Sequence, residues 1–86
     1  MISKTVVLTA PNGMHARPAG ELVKLVKTLD SAITLATAAK SVKASSMLGI
    51  LSLGLKSGAE VTVSADGGAE QANLDAVVAF LAEIND

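Results

Sequence analysis

The residues best suited to chemistry lie together in segment 12–19 (NGMHARPA), which holds the only histidine of the chain. A neutral imidazole is a competent nucleophile near pH 7. Pro18 suits the first turn of a helix, and a helix start attracts anions through its N–H groups and its dipole. Arg17 adds a permanent cation whose guanidinium can form hydrogen bonds with phosphate. Alternatively, Arg17 is only a solvated surface charge. The pattern predicts that His15 carries a phosphoryl group.

Other roles for His15 fit the sequence less well. A structural histidine would more often lie on an apolar stripe, whereas His15 lies between a glycine turn and a helix start, where loops present functional groups. Metal binding would need further ligands, and the chain has no cysteine and no second histidine. Acid–base catalysis would need a substrate pocket that a chain of 86 residues would struggle to form. We therefore expect no metal and no cofactor.

Residues 45–53 (SSMLGILSL) predict a short helix with an apolar outer side. Ser46 is placed as its N-cap. Met47, Leu48 and Leu51 share one side of the helical wheel, and the remaining large apolar residues, Ile50 and Leu53, share another. One side can enter the core while the other forms a docking patch, the alternative being a fully buried helix. A phosphate on Ser46 would place charge beside this patch and would oppose docking.

The elements that must position these segments follow from hydrophobic periodicity. Alternation predicts strands at 2–9, 32–37, 40–43 and 60–65, the third of them a charged edge strand. Apolar stripes predict helices at 16–29, 46–53 and 69–84. The order βαββαβα predicts an α+β domain with one sheet and helices packed on one of its faces. Glu70, Asp75 and Glu83 are assigned to a solvated outer face of the last helix.

Composition narrows the possible functions. Residues 1–86 are expected to form one domain with an aliphatic core, because 50% of them are hydrophobic and Phe80 is the only aromatic residue. The lack of aromatic stacking platforms and the net charge of −1 argue against binding to nucleic acid or to an anionic membrane. The chain also lacks a signal-peptide pattern and an apolar run of membrane-spanning length. We expect a small cytoplasmic domain with no membrane insertion.

Two segments resemble the signatures of one known family. Residues 13–19 (GMHARPA) resemble the active-site signature of HPr, the histidine-containing phosphocarrier family of the bacterial phosphoenolpyruvate:sugar phosphotransferase system. Residues 43–54 (KASSMLGILSLG) resemble its second signature, and the length and element order match over essentially the whole chain. The resemblance implies an open-faced β-sandwich, in which three helices cover one face of a four-stranded antiparallel sheet. It also implies a phosphoryl carrier that is not itself an enzyme.

The resemblance further implies a role for each residue in these segments. His15 would be phosphorylated on Nδ1 by phospho-enzyme I, and the group would then pass to the EIIA domain of a sugar permease. Arg17 would stabilise the phosphate, and the backbone N–H groups of Ala16 and Arg17 would cradle it. The surface shared by successive partners would comprise Gly20, Met47, Leu48 and Leu51.

Ser46 matches the serine that an ATP-dependent HPr kinase phosphorylates in many Gram-positive members, which makes that kinase a further implied partner. Ala16 stands where some members have threonine, and Gly20 stands where a larger residue is common. Neither departure removes a residue that the transfer needs. Because a carrier must keep its docking face accessible, we expect a monomer.

Other functions remain open on the sequence alone. A first alternative is a carrier of the nitrogen branch or of another regulatory phosphorelay. A second is a purely regulatory binding protein switched at Ser46 with an idle histidine, against which the pairing of His15 with Arg17 counts. A chance motif in an unrelated structural domain is disfavoured by two signatures at matching spacing.

Overall fold

Alternating and helical segments of the chain form the elements that periodicity predicts. The computed structural model describes residues 1–84, and all statements on structure below refer to them. The strands are β1 (Ile2–Val7), β2 (Ala32–Ala36), β3 (Ser41–Lys43) and β4 (Glu60–Asp66). The helices are α1 (Ala16–Lys27), α2 (Met47–Ser52) and α3 (Glu70–Glu83). The predicted order is confirmed, and the element ends shift by one to two residues.

The four strands form one antiparallel sheet in the order β1-β4-β2-β3. β2 and β3 are neighbours in the chain and form a hairpin, whereas β1 pairs with β4 from the other end of the sequence. β3 is a short edge strand with exposed Ser41 and Lys43, as its charged sequence predicts. The predicted α+β architecture is confirmed, because the helices cover one face of this sheet.

The core lies between that face and the helices and is aliphatic. Strand residues that alternate inward are fully or almost fully buried, as predicted for Ile33, Leu35, Val61 and Val63. Leu22 of α1 and the apolar stripe of α3 close the other side of the same core. Ile50 is the residue that anchors α2, with no exposed surface. This packing fixes α1 beside α2, and the two helices carry the candidate site.

Residues 1–84 contain neither a membrane-spanning helix nor a cluster of metal-binding side chains. None of their helices has the length and apolar character needed to cross a membrane. Among the same residues, no cluster of three or more His, Cys, Asp or Glu side chains has the arrangement needed to hold a metal ion.

Candidate functional site

His15 is the N-cap of α1 and is half-buried. Its backbone is extended, with φ −103° and ψ −173°, and its carbonyl oxygen accepts the N–H of Ala19 at 3.0 Å. The imidazole itself does not cap the helix. Helix geometry offers no carbonyl acceptor to the N–H groups of the first turn, which belong to Ala16 and Arg17. The imidazole therefore lies beside the positive end of the α1 dipole.

The loop before His15 is held by a glycine that no other residue could replace without strain. Gly13 has φ +69°, and a Cβ at this position would overlap the carbonyl oxygen of Leu55. The N–H of Met14 donates to that same carbonyl at 3.0 Å, and the Met14 side chain is buried. The N–H of Gly13 donates to the carbonyl of Ala10 at 3.1 Å. These contacts fix the direction from which the chain enters α1, and hence the position of His15.

Arg17 is the second residue of α1 and is exposed. The first turn of α1 contains no acidic residue. A cation at the positive end of a helix dipole is unfavourable on its own, and a bound anion reverses that balance. The first turn of α1 is thus electrostatically suited to a dianionic group beside His15.

Ser46 caps α2, as its position in the sequence predicts. Its Oγ accepts the N–H of Gly49 at 3.1 Å, and its own N–H donates to the carbonyl of Lys43 at the same distance. Ser46 is exposed, so its hydroxyl is accessible although it serves as a cap. The residue combines a helix cap with a surface position beside the apolar side of α2.

The outer side of α2 exposes large apolar side chains. Leu48 is 83% exposed and Met47 is 38% exposed, while Leu51 is half-buried. The alternative of a fully buried helix is therefore wrong. Gly20 on α1 adjoins this side, because a Cβ placed there would lie 3.9 Å from Cε of Met47. Gly20 therefore lies beside Met47, and we refer to the four residues of the predicted docking surface, Gly20, Met47, Leu48 and Leu51, as the docking patch.

A polar cluster at the start of α3 was not predicted from the sequence. Asp30 Oδ1 accepts the N–H of Ala69 at 3.1 Å and the side-chain amide of Asn73 at 2.6 Å. Hydrogen bonds, first from Asn73 and then from Ala69, lower the pKa of the Asp30 carboxyl. Asn73 is buried and also donates to Ser31 Oγ at 2.7 Å. In the sequence, the only indication of this cap is that Asp30 follows α1 closely.

Glu70 corrects the assignment of the last helix to a solvated acidic face. Its carboxylate accepts the N–H of Gly67 at 2.7 Å and pairs with the N-terminal ammonium of Met1 at 3.1 Å. The Gly67 hydrogen bond, followed by the N-terminus, lowers the pKa of Glu70. Asp75 and Glu83 are exposed as predicted. The assignment was wrong for Glu70 because Gly67, three residues earlier, donates to its carboxylate, and because the pairing of β1 with β4 brings the N-terminus to the same carboxylate.

Fold and site together define a class: small α+β domains that present a single histidine at a helix start, next to an arginine and a short apolar helix. Comparison with known proteins agrees with this class. Residues 2–83 match the family described as PTS HPr component phosphorylation site. The phosphocarrier protein HPr of Haemophilus influenzae is 41% identical over 81 residues, covering 94% of this chain and 95% of that protein.

Solved structures give the same result. A crystal structure of HPr-C-His from Thermoanaerobacter tengcongensis superposes with a TM-score of 0.89 at 34% identity, covering 95% of this chain and 92% of that one. A structure described as an HPr dimer from the same organism has a TM-score of 0.76 at 34% identity, with coverage of 96% and 99%. The chain belongs to the HPr family of phosphocarrier proteins of the phosphotransferase system.

Proposed function

We propose that this chain accepts a phosphoryl group on His15 Nδ1 from phospho-enzyme I and passes it to the EIIA domain of a sugar permease. The observation that carries the proposal is the placement of His15 as the N-cap of a helix whose first turn has Arg17 and no acid. Membership of the HPr family, whose description names a phosphorylation site, supports the same role.

The geometry suits a carrier that both accepts and releases the group. The neutral imidazole attacks the phosphorus atom in line, so that a new N–P bond forms at His15 as the bond to the donor breaks. Backbone N–H groups of Ala16 and Arg17, together with the guanidinium, face the charge of the incoming group. Because His15 is only half-buried, the phosphate stays accessible to the next partner. The chain is in this scheme the phosphorylated intermediate and not an enzyme.

The docking patch is proposed to contact successive partners in turn. Its large exposed side chains, Leu48 above all, offer apolar surface on the helix that packs against α1, the helix that begins at His15. A small patch favours complexes that dissociate quickly, as a shuttle between partners requires. Residues 1–86 would act as one cytoplasmic domain, and we propose a monomer because self-association through the patch would compete with transfer.

Ser46 is the proposed regulatory site and the target of an HPr kinase. A phosphate on this exposed cap would place about two negative charges beside Met47. It would also replace a hydroxyl that accepts the Gly49 N–H. The added charge would have to be desolvated when the docking patch enters an interface, so transfer through His15 would slow.

The decisive test of carrier function is phosphorylation by phosphoenolpyruvate and enzyme I, followed by phosphorus NMR. We expect an acid-labile phosphohistidine signal that is absent from His15→Ala. Incubation of the phosphorylated chain with EIIA domains of the sugar and nitrogen branches would then show which branch it serves. No signal with an enzyme I that phosphorylates a known HPr would contradict the proposal and favour a binding-only regulator.

Regulation at Ser46 has its own test. Ser46→Asp should accept the phosphoryl group from enzyme I more slowly than the parent, while Ser46→Asn, which is similar in size and also able to cap, should not. Equal rates for Ser46→Asp and the parent would refute the switch and leave the carrier role intact.

A further inference from the structure

The three methionines of the chain differ in how far small oxidants can reach them. Met14 is buried, at 5% exposure, in the loop before α1, whereas Met47 is 38% exposed and is the first residue of α2. Met1 is the most exposed, at 79%, but it is the N-terminal residue and is not part of the docking patch. Met47 is therefore the methionine that combines exposure with a position in the docking patch.

Gly20 leaves the end of the Met47 side chain uncovered on the side of α1. A Cβ built at Gly20 would lie 3.9 Å from Met47 Cε, the methyl carbon that is bonded to the thioether sulfur. Apart from the neighbouring positions of α1 itself, no other atom of residues 1–84 lies within 4 Å of that point. A long side chain at position 20 would fill this space, whereas glycine leaves room for a molecule of the size of hydrogen peroxide.

A methionine thioether reacts with hydroperoxides without help from other groups. One peroxide oxygen is transferred to Sδ of Met47, so that an S–O bond forms as the O–O bond breaks. The sulfur is oxidised by two electrons, and hydrogen peroxide is reduced to water. The product is a polar sulfoxide in place of a flexible apolar thioether. Methionine sulfoxide reductases reverse the change, so it is suited to regulation.

The sulfoxide would add a hydrogen-bond acceptor to an apolar surface. In the free chain, water solvates this oxygen because Met47 is exposed. In a complex that covers the docking patch, the oxygen would lose its water, which costs free energy unless the partner supplies a donor. The chain itself should stay folded, because Ile50 and not Met47 anchors α2 in the core. The expected effect is therefore on docking.

We propose that Met47 is a reversible oxidation site, at which hydroperoxides form methionine sulfoxide and thereby weaken docking of the phosphoryl donor. The inference rests on the proposed carrier function, because it concerns the surface that enzyme I would contact. It is separate from regulation at Ser46, since the reaction needs neither a kinase nor ATP. Oxidation would slow the entry of phosphoryl groups, and a reductase would restore it.

The first experiment measures which methionine is oxidised. The purified full chain is treated with hydrogen peroxide, samples are quenched with catalase at intervals, and peptide mass spectrometry follows the gain of one oxygen at each methionine. We expect Met47 to be oxidised at least about fivefold faster than the buried Met14. Equal rates at the two residues, or faster oxidation of Met14, would overturn the assignment of the site.

The second experiment measures phosphorylation by enzyme I at a series of concentrations of the chain, after catalase has removed the peroxide. Oxidised chain should show a KM about tenfold higher than untreated chain with little change in kcat, because docking and not the chemical step is affected. Methionine sulfoxide reductases A and B with dithiothreitol should return KM to its untreated value. An unchanged KM would overturn the proposal, and so would a loss of the folded ¹⁵N spectrum on oxidation of Met47.

Two variants separate Met47 from the other methionines, and each is compared with its own untreated form so that differences in basal rate do not enter. Met47→Leu should keep the same KM after peroxide treatment, although it still contains Met1 and Met14. Met14→Leu, the matched control, should show the rise in KM seen in the parent. A rise in treated Met47→Leu would overturn the proposal. An untreated parent that accepts no phosphoryl group from an active enzyme I would instead contradict the proposed function itself.

Discussion

The N-terminal ends of α1 and α3 carry charged residues of opposite sign. At α3, Asp30 accepts the Ala69 N–H, and Glu70 lies in the first turn, so two carboxylates of the protein face the positive end of the helix. At α1, the first turn contains no acidic residue, and Arg17 and His15 are found there instead. Carboxylates stabilise a helix start, and a cation does not.

The difference separates a structural helix start from a functional one. The α3 start is occupied by internal charges, which tie the end of α1, the Gly67 turn and the N-terminus together. We propose that the α1 start instead receives a charge that arrives with one partner and leaves with the next. A built-in carboxylate there would add stability but would repel the phosphoryl group that we propose His15 carries.

The largest effect is expected from the loop that holds the α1 start. Gly13→Ala should lower the free energy of unfolding by about 3 kcal/mol, because a Cβ at φ +69° would be strained and would overlap Leu55. Gly58→Ala is the control: φ is +90° but no atom lies within 4 Å of the added Cβ, so only about 1 kcal/mol should be lost. Urea denaturation measures both, and equal losses would show that the Leu55 contact is unimportant.

Breaking the α3 cluster should cost stability without affecting transfer. Asn73→Ala removes a buried amide that bonds Asp30 and Ser31, and we expect a loss of about 2 kcal/mol in the free energy of unfolding. Gln71→Ala, whose amide makes an exposed hydrogen bond to Asp75, should lose less than about 0.5 kcal/mol. The rate of phosphorylation by enzyme I should be the same in both variants and the parent. A slower Asn73→Ala that is still folded would mean that the two helix starts are coupled.

An acidic residue in the first turn of α1, like Glu70 in the first turn of α3, should slow the acceptance of the phosphoryl group by His15. Ala16→Glu places a carboxylate in the first turn, and repulsion should slow phosphorylation of His15 by about tenfold. The same change should raise the free energy of unfolding by about 0.5 kcal/mol through the helix dipole. Ala16→Gln has the same size without the charge and should be phosphorylated at the parent's rate. If Glu and Gln variants were equally fast, the charge of the α1 start would not matter for transfer.

The smallest effect is expected for the pH dependence of the stability that the α3 start contributes. Because the folded protein lowers the pKa values of Asp30 and Glu70, their contribution to stability is present at neutral pH and is lost as the pH falls below about 5. Glu70→Gln should therefore show a shallower decline of the urea midpoint between about pH 6 and pH 3 than the parent. Glu83→Gln, at an exposed position of the same helix, serves as control. A parent-like slope in Glu70→Gln would contradict the role of this carboxylate.

Local sequence patterns were sufficient to predict most of the fold and the position of the candidate site. Alternation placed Ile33 and Leu35 inside, and the Ser46 cap followed from a polar residue at the start of an apolar run. The cap of α3 could not be found in this way, because Asp30 and Ala69 are 39 residues apart and meet only after the sheet has formed. The ion pair of Glu70 with the N-terminus likewise depends on the strand order, which periodicity along one segment does not specify.

The role of the α1 start in phosphoryl transfer is tested most directly by a pair of NMR spectra of the ¹⁵N-labelled chain, before and after phosphorylation by phosphoenolpyruvate and enzyme I. We expect a phosphorus signal from His15 Nδ1 and downfield shifts of the Ala16 and Arg17 backbone N–H protons, because these groups would donate to the phosphate. The amides of Ala69 and Gly67 at the α3 start should not move. Phosphorylation of His15 that leaves Ala16 and Arg17 unchanged would contradict the claim that the α1 start is kept for the phosphoryl group.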